Sequence, residues 1–168
     1  MNKYAPAVLL PLFIACSGDT FSDTCYTVEG DVRTTNVPGG NQVGVIELQL
    51  FDEADDERFR QTGTLSGTIT GASGIGQTLL SHSATFEDGS TFVTDGDTAQ
   101  ITAIRRLDGD GLPCAFDVHE VISDLAGGPG FFANTNSVHI SADGYVDACL
   151  SEGDNENEFV LTGTLCVD

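Results

Sequence analysis

Tryptophan is absent from this chain, methionine occurs once, and the only lysine is Lys3. Six basic residues stand against 26 acidic ones, for a formal charge of −20. A chain so poor in positive charge repels nucleic acid and anionic membrane surfaces and disfavours acidic polymers as substrates, so no nucleic-acid partner is expected. No two cysteines stand in C-x-x-C spacing, which argues against a zinc ribbon or a thioredoxin-like redox site. Helical periodicity is missing from Cys25 onward, and no nucleophile elbow, P-loop or dinucleotide fingerprint occurs. Gly71-Ala72-Ser73-Gly74-Ile75-Gly76 has the glycine content of a phosphate loop, but no helix pattern follows, and it reads as a flexible turn. No cofactor is implied. What the acids offer instead is solubility in a salty medium and attraction for cations, calcium included.

The chain opens with Lys3 and an apolar run from Tyr4 to Ala15, interrupted by Pro6 and Pro11. This is the layout of a secretory signal peptide over residues 1–15, and the run is too short for a permanent membrane helix. Phe13-Ile14-Ala15-Cys16 resembles the lipobox of bacterial lipoproteins, with Phe13 where that family prefers Leu. The resemblance implies cleavage before Cys16, a lipid on Cys16 as membrane anchor, and a tether over residues 16–24. By the same resemblance, Ser17 after the cysteine implies sorting to the outer membrane of a bacterial envelope. The alternative is ordinary cleavage after Ser17 and release as a secreted protein. The chain has five cysteines, and lipidation of Cys16 leaves four, an even number for an oxidising compartment.

From Cys25 to the end, Thr, Val, Ile and Phe recur in short alternating runs separated by Gly, Asp, Asn and Pro clusters. The pattern predicts a single all-β domain over 25–168, with eight strands at roughly 25–33, 43–51, 62–70, 78–87, 91–104, 113–124, 136–149 and 158–167. The fifth is open to interruption at Asp95-Gly96-Asp97, and Asp52–Arg60 reads as a solvated loop. Regular short strands with such turns point to an antiparallel sandwich or, as favoured here, an up-and-down barrel. In a barrel the first strand closes against the last, which brings Cys25 to Cys166. A hairpin folded near Gly130 sets Cys114 opposite Cys149 or one step off. Of the three connectivities open to four cysteines, Cys25–Cys166 with Cys114–Cys149 is therefore expected.

Gly127-Gly128-Pro129-Gly130-Phe131-Phe132-Ala133-Asn134 resembles the glycine-rich turn of the allene oxide cyclase and dirigent-like barrels and of related bacterial secreted β-proteins. His82 to Thr94 and Leu161-Thr162-Gly163-Thr164-Leu165 are similar to the flanking strands of those bacterial proteins. The resemblance covers about half the chain and implies an eight-stranded antiparallel barrel with a central cavity. Pro129 stands where the family has Thr. No catalytic residue of the family matches a position here, so no activity carries over.

Alternation places His82 on an apolar face with Leu80, Ala84 and Phe86, whereas His119 and His139 share faces with polar residues. None of the three has the i, i+2 spacing of two ligands on one strand, and no metal site is expected from them. Glu120 shares a face with Phe116, Val118 and Ile122, and Glu47 follows Val43 and Val45, with Phe51 beyond. An interior carboxylate is costly unless paired, and burial raises its pKa, which suits acid–base work. Glu120, His82 and Glu47 are thus the candidate ligand-binding residues, and Glu120 and His82 the catalytic candidates; the competing reading leaves both acids in solvent. Arg105-Arg106 reads as a surface-paired strand end. Asp95-Gly96-Asp97 and Asp108-Gly109-Asp110-Gly111 begin like calcium loops without continuing as EF-hands, and Glu152 to Glu158 is an acidic loop without ligand spacing, so only weak calcium binding is expected. Three functions remain open: non-catalytic binding of a small apolar or amphipathic molecule in the barrel, a cofactor-free cyclase or isomerase, and a structural or interaction lipoprotein with a packed interior.

Overall fold

The computed structural model describes residues 23–149 and 155–168. The expected signal peptide and the expected lipid site at Cys16 lie outside these residues, as does the acidic stretch 150–154. Among the described residues ten strands are formed and no helix: β1 (Thr24–Val37), β2 (Asn41–Phe51), β3 (Glu57–Gly74), β4 (Gln77–Phe86), β5 (Thr91–Thr94), β6 (Asp97–Leu107), β7 (Pro113–Ile122), β8 (Leu125–Gly127), β9 (Thr135–Asp147) and β10 (Glu156–Val167). All pairings are antiparallel, in the order β3-β2-β1-β10-β9-β7-β6-β4-β5-β8, and β3 pairs additionally with β4.

The count of ten, against the eight read from sequence, has two local causes. Gly96, at a φ of 74°, breaks the fifth segment into β5 and β6. The three-residue β8 lies just ahead of the glycine-rich turn and is too short to carry an alternation signal. Two loops also proved to be strand. Glu57–Gln61 alternates despite its charge, with Phe59 buried and Arg58 and Arg60 turned out. The glycines from 71 to 74 continue β3 through two register shifts before the turn at Ile75-Gly76.

Strict alternation drives one face of the sheet into the core. In β1, Val28 and Val32 are buried between exposed Glu29, Asp31 and Arg33, and in β2 Ile46, Leu48 and Leu50 are buried. One end of the interior is filled with aromatic rings: Phe59, Phe86, Phe92 and Phe131 surround the fully buried Phe132 at centroid distances of 5.3–5.5 Å. The turn carrying Phe131 and Phe132 is held by Ser90, whose buried hydroxyl accepts from the Phe131 N–H and donates to Asp88. At the other end of β10, buried Asn157 donates to Thr34 Oγ1 and Asn36 Oδ1 and accepts from the Asp147 N–H.

Both expected disulfides are present. Cys25 lies directly opposite Cys166 where β1 meets β10. Ala115 pairs with Asp147 across β7 and β9, which puts Cys149 one step off the residue facing Cys114.

Candidate functional site

Three titratable side chains from three strands converge in the interior. His82 comes from the middle of β4, where Leu80, Ala84 and Phe86 are buried on the same face. It lies opposite Gly67 of β3, and a β-carbon at Gly67 would stand 2.8 Å from His82 Cδ2 and 2.9 Å from Nε2. With glycine there, the imidazole packs close against the β3 backbone. Asp97 is the first residue of β6, directly after Gly96, and pairs with Leu80. The positive φ at Gly96, which an L side chain resists, turns the chain so that Asp97 points inward and is 1% exposed. Glu120 projects from β7 between Ala99 and Ala142, its two register partners, whose small side chains leave room for a carboxylate. It is 5% exposed.

His82 Nδ1 lies 2.9 Å from Asp97 Oδ2 and 3.4 Å from Glu120 Oε1. The first contact is a hydrogen bond; the second is an ion-pair distance without one. Asp97 Oδ2 also accepts from the Thr94 hydroxyl, and Thr94 Oγ1 accepts from the His82 N–H at 3.0 Å. Ser81 Oγ donates to the Thr94 carbonyl at 2.6 Å. This leaves Asp97 Oδ1 and Glu120 Oε1 buried without hydrogen-bond partners. A buried carboxylate oxygen is costly unless a donor or a cation meets it.

Burial alone would push the His82 pKa down, but the hydrogen bond to Asp97 and the charges of Glu120 and Asp97 outweigh it and hold the imidazolium above its usual value. Burial pushes the Glu120 carboxyl up; the Asp97 charge adds to this and His82 opposes it. Both shifts retain protons inside the cluster.

The cluster borders a cavity of about 50 Å³. Apart from His82 and Glu120, its polar lining is Gln42 and Thr94, and Val32, Leu65, Phe92 and Ile140 are among the apolar walls. No lysine or arginine lines it. That volume suits one or two water-sized groups, far less than the several hundred Å³ of a typical pocket for an organic ligand.

The remaining sequence candidates lie elsewhere. Glu47 is exposed on the outer face, because Ile46, Leu48 and Leu50 take the interior and turn Val43 and Val45 outward, each 46% exposed. It stands in a surface groove with Arg60 and Glu87, and is removed from the candidate ligand-binding residues. His119 is half-buried and bonded to Asp143 Oδ1 at 2.7 Å, and His139 is exposed. Arg105 pairs with Asp117 and lies over the Tyr145 ring, and Arg106 pairs with Asp147 at 2.6 Å. Asp108 Oδ1 caps its own turn through the Asp110 and Leu112 N–H groups.

Asp97 and Thr94 were not legible as interior residues. Asp97 sits in a D-G-D turn that reads as surface, and only its place beside a positive-φ glycine hints otherwise. Among the described residues, His82, Asp97 and Glu120 form the one group of three potential metal-ligating side chains, with ligand atoms all within 4.8 Å of one another. No known protein family matches this chain, nor does any curated protein or solved structure.

Proposed function

We propose that the chain is a lipid-anchored envelope protein whose β-domain is an eight-stranded up-and-down barrel that binds one compact ligand at His82, Asp97 and Glu120, without catalysis. The β3–β4 pairing supports the barrel, since it joins β1, β2, β3, β4, β6, β7, β9 and β10 into a ring, with β5 and β8 as additions at one margin. The resemblance to allene oxide cyclase-like barrels points the same way. Anchoring rests on the lipobox-like Phe13-Ile14-Ala15-Cys16 and on the even number of cysteines that lipidation leaves.

The observation that carries the binding reading is the pair of buried carboxylate oxygens without partners, beside a cavity with no lysine or arginine in its lining. A ligand that compensates them is small and brings positive charge or hydrogen-bond donors. An apolar or amphipathic organic ligand requires the aromatic cluster around Phe132 to give way first. The raised pKa of Glu120 beside His82 favours, as a second reading, acid–base chemistry of the cyclase or isomerase type. The filled core supports the structural alternative.

The full chain, expressed with its own leader in a bacterial host and purified with disulfides intact, tests the proposal by native mass spectrometry before and after denaturation. A bound mass that leaves on denaturation and is lost in Glu120→Gln supports it. An intact mass lacking the acyl groups on Cys16 overturns the anchoring, and a chain with no bound mass under any loading condition overturns the binding.

A further inference from the structure

We infer that His82, Asp97 and Glu120 form a mononuclear site for a divalent d-block cation, zinc foremost, with the cavity supplying room for an exchangeable water as the remaining ligand. The inference rests on the compact-ligand reading above and names the ligand's class.

The first argument is spacing. Around a tetrahedral ion with bonds of about 2.0–2.2 Å, ligand atoms stand about 3.3–3.6 Å apart. His82 Nδ1 is 2.9 Å from one carboxylate and 3.4 Å from the other, and all three donors lie within 4.8 Å. Shifts of a few tenths of an ångström to about 1 Å therefore open the centre to an ion. Such shifts are accessible because Glu120 is flanked by two alanines instead of bulky neighbours.

The second argument is charge. Two carboxyl groups face one imidazole in an interior with no lysine or arginine, and two of their oxygens have no partner. A cation among these donors takes Glu120 Oε1 as a ligand and offsets the charge of both carboxylates, where a neutral donor offers one hydrogen bond. The third is orientation: Thr94 donates to Asp97 and is itself tied to the His82 backbone and to Ser81, the kind of surrounding shell that fixes a ligating carboxylate. Gly67 sets the imidazole plane on the opposite side.

The donor set selects the ion. One imidazole nitrogen with two carboxylates suits zinc and its d-block neighbours, and no sulfur is present to favour copper(I). Calcium needs six to eight oxygens at longer distances, and magnesium an octahedral oxygen shell, which this narrow pocket does not provide. About 50 Å³ accommodates a water beside the ion and little else.

The test uses the full chain stripped with chelator and titrated with zinc chloride by calorimetry, with excess calcium as competitor. Cobalt(II) reports geometry through its visible bands. The expected result is one zinc per chain, resistant to calcium, with tetrahedral cobalt bands and a raised melting temperature. Affinity falls at least tenfold in Glu120→Gln and in His82→Gln, and is unchanged in Asp108→Asn on the outer surface. Circular dichroism confirms that each variant is folded, and the melting shift of the parent chain stands independently of the variants. Zinc binding that survives both interior substitutions, or its absence from the parent chain, overturns the inference. If zinc fails while a non-metal mass is retained and lost in Glu120→Gln, the metal is excluded and the compact-ligand reading survives. If nothing binds, both fall.

Discussion

Gly67 and His82 face each other across β3 and β4, and the imidazole occupies the space that a side chain at position 67 would fill. Gly67→Ala puts a methyl group against a ring whose Nδ1 is held by Asp97, so the ring must tilt away and lengthen that bond. The variant is expected to remain folded and to lose at least tenfold in zinc affinity by calorimetry. Unchanged affinity in a folded Gly67→Ala chain would show that the ring has slack and that the glycine does not position it.

Phe132 is fully buried and meets four other phenylalanine rings. Truncation to alanine leaves a cavity at the aromatic end and is expected to cost about 3–5 kcal/mol in urea unfolding. A cost below about 1 kcal/mol would mean that the turn carrying Phe131 and Phe132 is not part of the cooperative core.

The disulfides span very different lengths of chain, 141 residues for Cys25–Cys166 and 35 for Cys114–Cys149. Loop entropy alone makes the longer bridge more stabilising by about 1 kcal/mol. Replacing each pair by serine and comparing denaturant midpoints checks the order. A larger loss from the Cys114–Cys149 pair would place strain or local packing above chain entropy here.

Asp52 caps the loop before β3. Its carboxylate accepts from the Asp56 and Ala54 N–H groups and pairs with Arg58 at 2.5 Å, and the Asp56 hydrogen bond, followed by that of Arg58, lowers its pKa below the ordinary value. A carboxyl with a depressed folded pKa stabilises above its unfolded pKa, and this contribution is lost as pH falls through the folded value. Asp52→Asn should therefore melt below the parent chain at neutral pH, with the gap closing as the pH drops below about 4. A gap that persists at low pH would assign the effect to loop geometry rather than charge.

Much of this architecture can be read directly from alternation. His82 and Glu120 sit among apolar neighbours at every second position, and both are interior. The register of Cys25 with Cys166 follows from pairing the first strand with the last. Glu47 shows where alternation fails: β2 has apolar residues on both faces, Val43 and Val45 against Ile46, Leu48 and Leu50, and the bulkier set takes the core. One step of register then inverts the face of every residue in the strand. Asp97 shows a different limit. A D-G-D sequence carries the signature of a solvated turn, and the inward direction of Asp97 comes from the positive φ at Gly96 together with the β4–β6 pairing, a tertiary contact that alternation does not reveal.

Anomalous diffraction from crystals of the chain grown with zinc is the most direct measurement of the interior site. The account predicts one strong peak within about 2.0–2.2 Å of His82 Nδ1 and of one oxygen each from Asp97 and Glu120. Peaks confined to the acidic outer surface, with the His82–Asp97 hydrogen bond intact beneath them, would contradict it.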